Sequence, residues 1–151
     1  MIEPLKIESI EPIDVYSLRH VGDYLKCDTV WNQLIEFAWK NNLKTEKTKF
    51  YGISYDDPDV VETTKLRYDA CITNIKNVAV SNGVESKKIE GGKYAIFMHK
   101  GSYEKLIDTY TSIYGLWIQK NNMELRDIPP VEQYTVMDVK PEDLRTEICP
   151  T

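Results

Sequence analysis

The feature that most constrains this chain is an internal repeat. Arg19-His20-Val21-Gly22-Asp23-Tyr24 recurs as Met98-His99-Lys100-Gly101-Ser102-Tyr103, an offset of 79 residues (99 − 20). At that offset Tyr55 falls opposite Tyr134, Asn41-Asn42 falls one residue from Asn121-Asn122, and Trp39 falls one residue out of step with Trp117. Leu66-Arg67-Tyr68-Asp69-Ala70-Cys71 matches Leu144-Arg145-Thr146-Glu147-Ile148-Cys149 at an offset of 78. One match carries little. Several in one order at a nearly constant spacing mark two copies of a structural unit.

Each copy reads as strand, helix, strand, strand. The first strand, Ile13 to His20 or Tyr94 to His99, is rich in β-branched and aromatic residues. A turn with Gly22 or Gly101 follows, where backbone freedom is needed. The second helix carries Tyr103, Leu106, Ile107, Tyr110, Ile113, Tyr114, Trp117 and Ile118 as one apolar stripe, with Ser102 as its N-cap. The first helix starts near Asp28 or Thr29 and carries Trp31, Leu34, Ile35, Ala38 and Trp39. Strands near Phe50–Tyr55 and Leu66–Thr73, and near Val131–Met137 and Arg145–Cys149, complete the two units. Their connections are Asp56-Asp57-Pro58-Asp59 and residues 138–143 with Pro141. Residues 74–93, with turn signals at Asn82-Gly83 and Gly91-Gly92, are predicted to add a strand and join the halves.

The expectation is an α+β fold: a single domain over 1–151, with pseudo-repeats at about 13–73 and 94–150. It consists of an antiparallel sheet and two helices flanking a central ligand cleft, because amphipathic helices bury their stripes on the available sheet. A length of 151 residues with 42% hydrophobic content suits one such core. A net charge of -5 without a Lys/Arg run argues against a nucleic-acid surface. No apolar stretch approaches the ~20 residues of a membrane span, and no signal peptide is visible. Three cysteines without metal-like spacing suit reduced thiols, and hence a cytoplasmic protein. Ten tyrosines and three tryptophans are enough both to fill a core and to line a pocket.

Where the halves differ, function is expected. At offset 79, Glu132 stands against Ile53 (132 − 79). Strand alternation puts Glu132 with Tyr134, and Ile53 with Tyr51 and Tyr55. A carboxylate placed like a core isoleucine needs a partner; it either faces a buried cation or acts as a base of raised pKa. The alternative is an exposed or ion-paired Glu132 on an edge strand. Tyr68 against Thr146 is a second asymmetry, and Trp117 either borders the cleft or belongs to the core. His20 and His99 precede equivalent glycine turns and are read as turn hydrogen bonders. With no further donors converging, no metal or cofactor is expected. A Cys27–His20 nucleophilic pair has weak sequence support.

The segments around His20, Gly91–Tyr103, Ile113–Trp117 and Pro130-Val131-Glu132-Gln133-Tyr134 resemble the GyrI-like domain, also found as the effector-binding part of multidrug-responsive transcription regulators. The resemblance runs from about Ile13 to Pro150. It implies an aromatic-lined channel between the helices with Glu132 as the conserved glutamate of its Pro-x-x-Glu-x-Tyr element. Two positions depart from the family: Ile118-Gln119 where Leu-Pro is frequent, and Val131 where an aromatic is frequent, which is expected to widen the channel beside the carboxylate. The leading expectation is a stand-alone binder of small apolar or cationic compounds through Glu132, Trp117, Tyr134, Tyr51, Tyr55 and Tyr68. One alternative is a hydrolase of strained electrophiles with Glu132 as general base. Another is a protein that works on DNA gyrase or on a regulator. With Ile13 already opening the first strand, no helix-turn-helix and no direct DNA binding are expected. Oligomeric state stays open.

Overall fold

The computed structural model describes residues 6–43, 48–74, 78–80, 83–121, 129–136 and 145–149. Asn82 and the connection 138–143 with Pro141 lie outside the described residues.

The strands are β1 (Lys6–Ile10), β2 (Ile13–Val21), β3 (Phe50–Ser54), β4 (Arg67–Thr73), β5 (Glu85–Ile89), β6 (Gly92–Lys100), β7 (Val131–Val136) and β8 (Arg145–Cys149). Helix α1 (Asp28–Lys40) lies between β2 and β3. The second helix, α2, opens as a tight 3-10 turn (Tyr103–Lys105) and runs through Leu106–Ser112. It then widens into a π-helical turn (Ile113–Trp117) and ends at Ile118–Lys120. The element order ββαββ therefore occurs twice. It includes β1, which the sequence reading left before its first strand, and β5, which forms the extra strand expected in the joining segment.

All pairings are antiparallel, in the order β1-β6-β8-β7-β3-β4-β2-β5. The central pair, β3 and β7, joins one half to the other. The two edge strands are exchanged: β1 pairs with β6 of the second half, and β5 with β2 of the first. This exchange forces the sheet to curl. Strands β1 and β2 stand six places apart, ~29 Å in a flat sheet at ~4.8 Å per strand. Yet only Glu11 and Pro12 separate them, and three Cα steps reach at most ~11 Å. The inside of the curl is a core of its own, with Val15, Ile53, Cys71, Ile89, Ile96 and Val131. The two connections meet at Gly91, where a Cβ would lie 2.8 Å from the Ile10 carbonyl oxygen and from Pro12.

The helices pack on the outer face. Val30, Leu34, Phe37 and Ala38 of α1, spaced by three and four, cover Tyr16, Leu18, Ala70 and Ile72 of β2 and β4. Strand β2 is covered on both sides, so Val15, Tyr16, Ser17 and Leu18 are buried in succession. Beneath α2, Ile113, Trp117 and Ile118 pack on Phe97 of β6. Asp28 in the first turn of α1 and Lys40 in its last complement the helix dipole.

Two local devices repeat. His20 Nε2 lies 2.9 Å from the Asp23 carbonyl and His99 Nε2 lies 2.8 Å from the Ser102 carbonyl, each closing the turn that contains a positive-φ glycine. Because a carbonyl only accepts, both rings carry a proton on Nε2. Asp69, buried on the inner face, is held by Arg19, Lys87 and Tyr55. Burial raises its pKa, but those hydrogen bonds outweigh burial and hold it below the usual range.

Candidate ligand site

Between α1 and α2, above the β3–β7 pair, lies a cleft of about 1650 Å³. Trp31 and Ile35 of α1, Tyr110 and Tyr114 of α2, and Tyr68 and Tyr134 of the sheet line its walls. Alternation along β7 turns Glu132 and Tyr134 outward to the cleft and Val131 inward to the curl.

Glu132 is at the floor, 5% exposed. Tyr110 donates to its Oε2 at 2.6 Å and Tyr134 to its Oε1 at 2.8 Å. The Tyr134 oxygen lies 2.5 Å from that of Tyr68, and the Trp31 indole N–H donates to Tyr68 at 3.2 Å. With Tyr134 committed to the carboxylate, the direction is fixed: Trp31 donates to Tyr68, Tyr68 to Tyr134, Tyr134 to Glu132. Among the described residues no Lys, Arg or His forms an ion pair with Glu132. Burial pushes its pKa up; the two phenols and the nearby His99 ring pull it down without cancelling burial. The phenols of Tyr68, Tyr110 and Tyr134 are all driven well above their ordinary value, by burial first and then by the Glu132 charge.

Rings pack edge-on around this chain: Trp31 against Tyr134 at 5.6 Å and Tyr103 against Tyr134 at 5.7 Å. Tyr110 and Tyr114 stack at 15°. Cys27 borders the cleft, but burial, followed by the Glu132 charge, raises its thiol to about 12. It donates to the Tyr24 carbonyl rather than pairing with His20.

Four expectations need correction. Glu132 and Ile53, matched by the repeat offset, do not face the same way: Ile53 lies in the inner core with its ladder partner Val131, whereas Glu132 pairs with Gly52 and faces the cleft. The missing side chain makes room, since a Cβ on Gly52 would overlap the Tyr68 and Tyr134 hydroxyls. Tyr51 points into the inner core and does not reach the cleft; Tyr55 lines the cleft, with its hydroxyl turned to Asp69 rather than to Glu132. Trp117 sits in the core, edge-on to Phe97 at 5.1 Å. Val131 also faces inward, so its size does not widen the cleft.

Sequence reasoning missed Trp31 and Tyr110 as polar partners, filing both as apolar stripe. The signal was available: at offset 79 they are equivalent, each three residues before a fully buried Leu34 or Ile113. The side chain of Thr146, set against Tyr68 in the repeat, lies outside the described residues.

A curled antiparallel sheet with two outer helices and a deep, aromatic, acidic cleft defines a small-molecule-binding domain. The chain belongs to the GyrI-like small molecule binding domain family, whose model matches residues 3–149. It is 26% identical over 139 residues to the SPbeta prophage-derived protein YosT of Bacillus subtilis (strain 168), covering 87% of this chain and 88% of that one. It is 31% identical over 114 residues to a DNA gyrase inhibitor of Pectobacterium carotovorum subsp. carotovorum (strain PC1), covering 70% and 72%. The solved structure of SAV2435 bound to tetraphenylphosphonium shares the fold, with a TM-score of 0.60 at 15% identity over 96% of this chain and 91% of that one. No helix among the described residues is long and apolar enough to cross a membrane.

Proposed function

We propose that the cleft binds an apolar organic cation, with Glu132 as its counter-charge and the surrounding rings as its walls. The observation that carries this reading is a buried carboxylate held by two neutral phenols, with no cationic partner among the described residues. Taking a lone charge out of water costs several kcal/mol. A cation entering the cleft offsets that cost and gains cation–π contact, ~2 kcal/mol or more where desolvated. The cation bound by the fold relative SAV2435 is of this class.

The test is isothermal titration of tetraphenylphosphonium into wild type and Glu132→Gln, which keeps shape and removes charge. Affinity should fall at least about tenfold, ~1.4 kcal/mol. Wild-type affinity should also rise with pH as Glu132 ionises, since its proton competes with the ligand. Unchanged affinity in the variant overturns the reading.

One feature favours a second reading as a hydrolase: a carboxyl of raised pKa beside a directed hydroxyl chain suits a general base. Turnover of ring-strained electrophiles that is lost in Glu132→Gln would support it; no turnover by the wild type across a broad panel would remove it.

A further inference from the structure

Beyond its charge, the floor of the cleft has a hydrogen-bond polarity. Trp31 gives its indole hydrogen to Tyr68, Tyr68 gives its hydroxyl hydrogen to Tyr134, and Tyr134 and Tyr110 give theirs to Glu132. An indole and a phenol each have a single hydrogen to donate. All four are therefore committed within the protein, and the chain ends on the carboxylate. Each carboxylate oxygen accepts one of them, the pattern of the ionised form. An ionised carboxylate accepts at roughly four positions, so about two remain open. Toward the rim, Tyr24 donates to the Arg67 carbonyl and Thr111 to the Ile107 carbonyl, again into the protein. No Lys, Arg or His is among the described residues lining the cleft.

Such a floor offers acceptors and keeps its donors, so the hydrogens have to come from the ligand. A quaternary ion or a phosphonium answers the charge of Glu132 and lies against the rings. It leaves the open acceptor positions unpaired, on a carboxylate only 5% exposed. A buried acceptor without a hydrogen is costly, and a charge-assisted hydrogen bond is roughly twice as strong as a neutral one. An ammonium gives up more water than a quaternary ion on entering, and recovers that loss only where acceptors replace the water. Glu132 and the phenol oxygens of Tyr110 and Tyr134, joined to one another through the carboxylate, are such acceptors.

We propose that the ligand is a protonated amine: an apolar aromatic body whose cationic nitrogen carries at least one hydrogen, donated to Glu132. This rests on the reading of Glu132 given above and specifies its cation. A cation without an N–H binds through charge and ring contact alone, and more weakly. An anion, which brings acceptors to a floor of acceptors, is excluded.

The experiment varies only the hydrogens on one nitrogen. 2-Naphthylmethylamine and its N-methyl, N,N-dimethyl and N,N,N-trimethyl relatives are titrated calorimetrically into wild type and Glu132→Gln near neutral pH, where all of them are monocations. In the wild type, the step from dimethyl to trimethyl, which removes the last hydrogen, should weaken binding at least about tenfold and by more than the first two methyls together. A smaller last step overturns the proposal: affinity that rises with methylation means that desolvation decides, and an even decline means crowding. In Glu132→Gln every probe should weaken and the last step should shrink below about threefold, because the amide has N–H groups of its own; thermal melts confirm folding. A last step that persists there places the acceptor elsewhere and also overturns the proposal. If the variant binds too weakly to titrate, the wild-type series decides. 2-Naphthylacetate should not bind, and binding as tight as that of the amines counts against an acceptor floor and overturns the proposal too. If no cation of the series binds the wild type, or Glu132→Gln changes no affinity, the Glu132 reading fails and takes this proposal with it. If all bind and weaken together in the variant, without the large last step in the wild type, this proposal alone falls.

Discussion

At the scale of single residues, Glu132 works against the stability of its own fold. Its carboxyl is raised above 4.5 by burial, so the folded state favours the protonated form. Its stabilising contribution is complete below the unfolded value and is lost as pH rises through the folded value. Glu132→Gln should therefore melt at least about 2 °C above wild type near pH 8, the shift expected from ~1 kcal/mol in a chain of this size, and equal to it near pH 4. Melting curves across that range check both ends. Gly52 is its counterpart. Gly52→Ala drives a methyl into the Tyr68 and Tyr134 hydroxyls and should cost ~1–3 kcal/mol together with cation affinity, read by denaturant titration and calorimetry. The repeat pointed to Glu132 through a mismatch with Ile53, yet the two lie on opposite faces of the sheet. A one-residue slip in a strand exchanges its faces, and that slip also placed Tyr51 in the cleft. The parity within each strand was legible; which face carries the helices was not.

At the scale of elements, periodicity made α1 and most of the strands legible, because both obey local rules. The π turn at Ile113–Trp117 was not, since a single extra residue leaves no mark in a stripe that is already apolar. Its effect can be seen in burial. Ala38 and Trp117 are both buried, but Trp39 is 59% exposed while its offset partner Ile118 is 9% exposed. The extra residue moves the offset from 79 to 80 beyond the turn, so that Phe37 and Ala38 match the buried Trp117 and Ile118, Trp39 matches the exposed Gln119, and the two tryptophans are not equivalents. Also hidden was the exchange of β1 and β5, because the partners of an edge strand are set by distant residues. That exchange depends on a close crossing at Gly91. Gly91→Ala sets a methyl against the Ile10 carbonyl and the Pro12 ring, and should cost ~3 kcal/mol, toward the upper end for overpacking. Chemical denaturation measures it, and a cost below about 0.5 kcal/mol would mean that the crossing yields easily.

At the scale of the whole molecule, the halves meet twice: at the β3–β7 seam, which carries Glu132 and Gly52, and at the exchanged edges. The cleft therefore lies over a joint, and its two walls belong to different halves. The seam alone is a ladder of Tyr51, Gly52 and Ile53 with Gln133, Glu132 and Val131. The exchanged strands add five paired positions on each side. The exchange makes each half the clasp of the other. A backbone cut between Thr73 and Glu85 would sever the covalent link and leave both clasps fastened. Two polypeptides made separately from that cut should find each other in solution, co-elute as one species, and regain the tetraphenylphosphonium affinity of the uncut chain, while neither holds the cation alone. The molecule is in this sense a handshake, and its ligand sits between the palms.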